Sequence, residues 1–302
     1  MAGERGTSPG ARLRASFADR CVAMPGVFNA LVARMAERAG FEAIYLSGAA
    51  LSASSGLPDI GLLGMSEIAE QVRVITAASS LPLLVDADTG FGGPLLVERA
   101  VREIEHAGAA AIQIEDQELP KRCGHLSGKS LVSPEEMEQK IRAAASARLD
   151  PDFAIVARTD ARGVEGFEAA VARARRYLGA GADVLFPEAL HSREEFADFR
   201  RAVEAPLLAN MTEFGVSPLL SVAELDRIGY RIALFPVTAL RAAMKAVERA
   251  LEEIRRSGSQ RGVLDSMQSR AELYDLLGYE ERDEAYSAAS LRPADPPLRS
   301  PR

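Results

Sequence analysis

The run His106-Ala107-Gly108-Ala109-Ala110-Ala111-Ile112-Gln113-Ile114-Glu115-Asp116 holds one unit of the fold in miniature. A helical pattern over Leu95–Ala107 stops at a glycine, an apolar stretch follows, and the stretch closes in two carboxylates. Glycine just past the last turn is a common helix C-cap. A short apolar run without alternation reads as a strand buried on both faces, as in a parallel sheet. The unit recurs: Arg38-Ala39-Gly40, Gly179-Ala180-Gly181 and Ile228-Gly229 lead from helical segments into apolar runs in the same way.

About eight such runs are present, over Cys21–Pro25, Ala43–Ser47, Leu83–Asp88, Ala111–Asp116, Ala154–Thr159, Val184–Glu188, Leu207–Thr212 and Ile232–Pro236. Helical patterns lie between them, at Met65–Ala78, Leu95–Ala107, Pro134–Leu149, Gly166–Leu178 and Ser217–Arg227. Ser133-Pro134-Glu135-Glu136 marks a helix start, with a capping serine, proline at the first helical position and acids in the first turn. The expected fold is therefore α/β, a (β/α)8 TIM barrel. After the eighth run come a long helix, Thr238–Arg255, and a second helical pattern, Val263–Leu277. A plain barrel needs only the first, so the extra C-terminal helices are expected to cover the barrel end or pack on another subunit. Residues 1–14 lack periodicity and are expected to be flexible, 15–287 to form the barrel domain with its C-terminal helices, and 288–302 to be disordered.

The composition narrows the function. With 302 residues, 47% of them hydrophobic, the chain can bury a large core. A formal charge of -7 disfavours nucleic acid as a partner. No apolar run is long enough for a membrane span, and no signal-peptide core opens the chain. Cys21 and Cys123, the two cysteines, are too few for a disulfide framework, which suits a reducing, cytoplasmic setting. Cys21, beside Val22-Ala23-Met24, reads as core packing.

The predicted strands end in polar residues, and active sites of parallel barrels gather at that rim. Asp86 and Asp88 stand at i and i+2, which would aim both carboxylates to one face, ahead of Thr89-Gly90-Phe91-Gly92-Gly93. Oxygen ligands with no neighbouring His or Cys favour Mg²⁺, or Mn²⁺, over Zn²⁺. Substrate and water would complete the shell, with Asp59 and Glu115 orienting the waters. Arg158 suits a bidentate grip on a substrate carboxylate. Asn210 and Thr212 offer neutral donors to a second one. Glu188 is placed to orient a cation, and Arg241 and Arg270 are either further clamps or surface arginines.

Lys121-Arg122-Cys123-Gly124-His125 sets one thiol among two cations and an imidazole, on a loop after a predicted strand. Neighbouring positive charge favours the thiolate, so Cys123 has the profile of an acid/base cysteine rather than a buried small hydrophobe. No Walker loop is present, Gly90-Phe91-Gly92-Gly93 lacks dinucleotide spacing, and lysines are scarce at the strand ends. Nicotinamide and Schiff-base chemistry are disfavoured, and metal-assisted carbon–carbon cleavage remains.

Taken together, Asp86–Gly92, Glu115-Asp116-Gln117, Lys121–His125, Arg158-Thr159-Asp160, Phe186-Pro187-Glu188 and Asn210-Met211-Thr212-Glu213 closely resemble the isocitrate lyase and phosphoenolpyruvate mutase superfamily. The resemblance spans about Phe17 to Tyr286, and the cysteine motif marks the lyase branch. It implies Mg²⁺-dependent cleavage of 2-methylisocitrate, a small tricarboxylate, to pyruvate and succinate in the methylcitrate cycle of propionate breakdown. It also implies a homotetramer whose C-terminal helices swap between neighbours. On this pattern Asp86 and Asp88 hold the metal. Ser47, Gly48, Ala49 and Arg158 bind the end that becomes pyruvate. Gly124, Glu188, Asn210, Met211, Thr212, Arg241 and Arg270 line the rest, and Cys123 delivers a proton to carbon. Tyr45 is a candidate base for the hydroxyl. Two stretches depart from the pattern, Ala49-Ala50 after Ser47-Gly48 and Leu126-Ser127-Gly128-Lys129 after His125. Rival readings are a lyase acting on dimethylmalate or isocitrate, and a catalytically silent barrel that binds dicarboxylates.

Overall fold

A computed structural model describes residues 7–280 and residue 283. All eight apolar runs are strands: β1 (Val22–Val27), β2 (Ile44–Leu46), β3 (Leu83–Asp86), β4 (Ala111–Glu115), β5 (Ala154–Thr159), β6 (Val184–Pro187), β7 (Leu208–Asn210) and β8 (Ile232–Phe235). They pair in parallel, each with its neighbour in sequence, and β1 pairs with β8. A single parallel bridge, Leu185 to Leu207, joins β6 to β7 and closes the ring. The architecture is the expected (β/α)8 barrel.

Strand periodicity explains where the site lies. Along β3, Leu83 and Val85 pack outward with the helices, while Leu84 joins the barrel interior. The next inward position is Asp86. On β4 and β5 the outward residues are likewise apolar, Ile112, Ile114, Ile155 and Ala157. The inward ones run from Ala111 to Gln113 and Glu115, and from Ala154 through Val156 to Arg158. These three inward rows thus begin apolar and end polar at their C-terminal ends, because side chains two apart share a face. The barrel floor is oil and its mouth is charged.

The outer ring contains α2 (Ala30–Arg38), α3 (Gly48–Ser54), α4 (Met65–Ala78), α5 (Pro94–His106), α6 (Pro134–Ala147), α7 (Ala161–Val164), α8 (Phe167–Ala180), α9 (Arg193–Ala202) and α10 (Val222–Ile228). Ser133 caps α6 by accepting from Glu136 N at 3.1 Å, with Pro134 at the first position. Gly108 and Gly181 take the left-handed conformation that ends α5 and α8. Helix α9 lies where no helical pattern was read. It is strongly polar, and only Phe196 and Phe199 are fully buried.

The N-terminal expectation needs correction. Pro9–Ser16 form a helix, α1, so residues 9–14 are ordered rather than flexible. Ser8 caps it, and Gly10 lies so close to the Asp152–Phe153 backbone that a Cβ there would come within 2.5 Å. Leu13 and Phe17 plug the floor of the barrel. Arg14 donates to the Asp152 carbonyl at 2.8 Å and pairs with Asp183 at 2.9 Å. The apolar signal was just those two residues in a polar stretch.

The described residues divide after Met244 into two compact units. Helix α11 (Thr238–Ser257) runs from the first into the second. The pattern read as one helix over Val263–Leu277 is a 3₁₀ turn, Arg261–Ser266, then α12 (Arg270–Leu277), whose cap Ser269 accepts from Glu272 N at 3.2 Å. The tail expected to be disordered, 288–302, lies outside the described residues. No helix among the described residues is long and apolar enough to cross a membrane.

Candidate active site

A pocket opens at the C-terminal rim of the barrel. Ser47, Ala49, Asp86, Cys123, Gly124, His125, Arg158, Glu188, Asn210, Thr212 and Arg241 all line it, as do Tyr45, Asp59 and Lys121. Apolar side chains of Phe186, Leu234 and Val237 complete the wall.

Asp86 ends β3, where its Oδ2 accepts from Gly48 N at 3.1 Å and its Oδ1 from Gln113 Nε2 at 3.1 Å. Asp88 is not on the strand: its φ of 49° is a left-handed turn. The two acids therefore converge through that turn rather than through the i, i+2 alternation expected of a strand. A Cβ on Gly48 would lie 3.0 Å from Asp86 Oδ2 and 3.2 Å from Asp88 Oδ1, so both carboxylates crowd one point. Burial, and then Asp86, push the Asp88 carboxyl up to about 6. Lys121 answers part of that charge, with its ammonium 2.6 Å from Asp88 Oδ1 and also on Asp59. Burial alone would lower the Lys121 ammonium, but Asp88, Asp86, Glu115 and Asp59 together raise it. Even so, Asp88 Oδ1 accepts no well-directed hydrogen bond, and Glu115 Oε1 is buried without a partner. Among the described residues no three His, Cys, Asp or Glu side chains form a closed metal cage. The donor set is two convergent carboxylates, with Asp88 Oδ1 met only by the Lys121 ammonium, and this all-oxygen pair suits a hard cation that keeps water and substrate oxygens.

Arg158 is held on several sides. Its Nε and Nη2 bond to Asp160 at 2.9 and 3.1 Å, Nε is 3.3 Å from Glu115, and Nη1 is 3.3 Å from Glu188. The fork expected for a substrate carboxylate is taken, along that edge, by Asp160. Phe186 lies beneath the guanidinium, 5.2 Å from centroid to Cζ. Glu115 and Glu188 both face this cation yet titrate in opposite directions. Burial drives Glu115 well above the usual carboxylate range despite Arg158. Burial works against Glu188 too, but Arg158, His125 and Asn210 overcome it and bring the carboxyl down to about 2. His125 Nε2 stands 3.1 Å from Glu188 Oε1, and its Nδ1 accepts from Val216 N at 3.1 Å. An accepting Nδ1 leaves the ring proton on Nε2, facing Glu188. Asn210 Nδ2 donates to Glu188 Oε2 at 3.1 Å, and its Oδ1 is buried without a partner.

Cys123 is an exposed free thiol at the pocket edge, whereas Cys21 is buried and its thiol is pushed up to about 12, first by burial. The loop carrying Cys123 leaves at Gln117, which bridges antiparallel to Leu131 and so closes the loop at its base. Gly124 lies flat against the pocket: a Cβ there would meet Glu188 Cγ at 2.3 Å and Arg158 Nη2 at 2.5 Å.

Three expected site residues stand differently. Met211 is buried, its sulfur accepting from Leu220 N at 3.1 Å, and it does not line the pocket. Arg270 belongs to the second unit, where it is exposed at the head of α12 beside Tyr274 and Tyr279. Tyr45 donates to Gln113 Oε1 at 2.6 Å, and burial, with the charge of Asp86, holds its proton firmly. A base needs the reverse. Gln113, Lys129 and Asp160 were not read as site residues. Gln113 had a signal, a polar residue inside an apolar run, and it links Tyr45 to Asp86.

A closed eightfold barrel with an acidic, thiol-bearing mouth defines the class, and the phosphoenolpyruvate phosphomutase family model matches residues 13–255. The chain belongs to that family. A 2-methylisocitrate lyase of Aeropyrum pernix is 57% identical over 279 residues, 91% of this chain and 90% of the relative. A crystal structure of 2,3-dimethylmalate lyase superposes with a TM-score of 0.88 at 38% identity, covering 94% of this chain and 96% of the other. Phosphonopyruvate hydrolase in complex with oxalate and Mg²⁺ superposes with a TM-score of 0.86 at 36% identity, covering 95% and 100%.

Proposed function

We propose that this chain is a carbon–carbon lyase that cleaves 2-methylisocitrate to pyruvate and succinate, with Cys123 as the proton donor. The observation that carries the reading is that the exposed Cys123 thiol and the Asp86 carboxylate line one pocket, with Asp88 crowded against Asp86 behind it. The similarity to 2-methylisocitrate lyases over most of the chain supports the substrate.

Asp86 and Asp88 would hold Mg²⁺, which when bound supplies positive charge at the hydroxy-acid end of the substrate. Ser47, Gly48, Ala49 and the remaining edge of Arg158 bind the carboxylate that ends on pyruvate. Gly124, Glu188, Asn210, Thr212 and Arg241 surround the part that becomes succinate. As the C2 hydroxyl gives up its proton to solvent water and its oxygen becomes the pyruvate carbonyl, the bond between C2 and C3 breaks and its electron pair stays on C3, spreading into the adjoining carboxylate. The Nε2 proton of His125 and the Asn210 amide, both arrayed around Glu188, are preorganised donors for that charge. Cys123 then gives its proton to C3, and succinate is complete. Phe186, Leu234 and Val237 give the substrate's methyl group an apolar wall.

The assembly we propose is a cytoplasmic homotetramer in which the C-terminal helices of one subunit reach a neighbour, so that Arg270 completes an adjoining site. The exposed apolar side chains Val247, Leu251, Ile254 and Leu264 support this. Residues 15–287 then act as one functional domain within the assembly.

The likeness to 2,3-dimethylmalate lyase favours one rival substrate. One methyl group discriminates by only about 1–3 kcal/mol in an apolar pocket. The test is release of the oxo-acid product in separate assays with Mg²⁺: pyruvate from 2-methylisocitrate and 2,3-dimethylmalate, glyoxylate from isocitrate. The highest kcat/KM should fall on 2-methylisocitrate, with weak turnover of the others. A clear preference for either competitor refutes the substrate, and silence with all three favours the non-catalytic barrel.

A further inference from the structure

Lys129 is the one buried lysine of the loop that carries Cys123 whose ammonium turns back onto the loop itself. Its side chain is 2% exposed, and Nζ donates to the Gly124 carbonyl and, at 2.8 Å, to Asp160 Oδ1. Desolvating an ammonium costs several kcal/mol unless it is paired, and Asp160 supplies that pairing for Lys129. Asp160 is fully buried and is the same carboxylate that grips Arg158 through Nε and Nη2. Its backbone N–H is fixed to Asp116 Oδ1 at 2.9 Å, and Asp116 in turn accepts from Thr159 and Tyr177. One rigid anion therefore connects the loop to the arginine in the pocket.

The peptide on the other side of Cys123 is pinned as well. Gln117 accepts from Arg122 N at 2.9 Å and donates to the Arg122 carbonyl at 2.9 Å. Cys123 thus sits between two held peptides, Arg122 by Gln117 and Gly124 by Lys129. A thiol that must reach one face of a transient carbanion gains most from such fixing, since a displacement of ~1 Å can cost about a hundredfold in rate.

We infer that Lys129 is a positioning residue for the proton transfer: by holding the Gly124 carbonyl against Asp160 it sets Cys123 relative to Arg158. This rests on the proposed role of Cys123. Loss of the ammonium leaves Asp160 still held by both Arg158 bonds and by its own backbone bond to Asp116.

The experiment compares wild type, Lys129→Met, Lys129→Gln and Lys129→Arg, each as full-length protein with Mg²⁺. Turnover of 2-methylisocitrate, cleavage by trypsin after Arg122, and Tm are measured on each. For Lys129→Met, kcat should fall at least about tenfold with KM within about threefold, while cleavage after Arg122 accelerates and Tm moves little. Lys129→Arg, which keeps charge and donors, should recover part of kcat. Turnover of Lys129→Met within about twofold of wild type overturns the inference, as does a fall in kcat matched by a collapse of Tm with no faster loop cleavage. Should Lys129→Met fail to fold, Lys129→Gln decides on the same readouts: the same changes in kcat and loop cleavage support the role, and wild-type values overturn it. The trypsin rates need no substrate, so a wild type inactive on 2-methylisocitrate would refute the substrate while still testing the latch.

Discussion

Asp88 shows how burial and neighbours set the chemistry of a single residue. Its turn conformation places it against Asp86, and the absence of solvent raises its carboxyl from 3.8 to about 6. A raised carboxyl contributes stability that is fully present below its unfolded value and is lost as pH climbs through the folded one. Asp88 therefore weakens the fold between 3.8 and about 6, and above that range leaves an ionised, under-compensated acid. A cation that binds the ionised form competes with the proton below this range. The gain in Tm from saturating Mg²⁺ should accordingly be small at about pH 5 and larger at about pH 8, and should disappear in Asp88→Asn. Equal gains at both pH values would remove Asp88 from the proposed metal site. Sequence already paired Asp86 with Asp88, but for a reason the backbone does not support. The second acid arrives through a positive φ, which the motif Asp86-Ala87-Asp88-Thr89-Gly90 does not announce.

The element that governs access to the chemistry is the Cys123 loop. Glycine at 124 is required by space, since any Cβ would strike Glu188 and Arg158. Gly124→Ala should lift the loop and lower kcat by about a hundredfold, while Tm stays within a few degrees because the loop gives way and the β5 backbone does not. Thermal unfolding beside steady-state kinetics checks this, and a near-normal kcat would mean the loop does not dock as described. The strands were legible because apolar runs buried on both faces need no tertiary information to be seen. Helix α9 and helix α1 were not, because α9 shows the core only Phe196 and Phe199 in a mostly polar stretch and α1 only Leu13, with Phe17 at its cap. The loop's tethers escaped for another reason. Lys129 and Gln117 act on backbone atoms across the loop, and such pairings have no sequence spacing of their own.

At the scale of the molecule, the barrel interior changes from apolar floor to charged mouth, and that gradient locates the reaction before any side chain is assigned a role. The gradient was readable in the strand ends, whereas the position of Arg270 was not, because an exposed arginine on α12 carries no pattern that sets it beside a pocket. Val247, Leu251 and Ile254 recur at helical spacing on α11 and are exposed. In analytical ultracentrifugation the wild type should sediment as a tetramer and Leu251→Glu as smaller species with lower activity; a monomeric, fully active wild type would refute the assembly. The central claim is that sulfur-borne hydrogen quenches a carbanion on the succinate carbon. Its most direct measurement is deuterium uptake into succinate, followed by NMR, when the enzyme is held with Mg²⁺, pyruvate and succinate in D₂O. Wild type should exchange one methylene hydrogen and Cys123→Ser should not; exchange at the wild-type rate in Cys123→Ser would contradict the role given to the thiol.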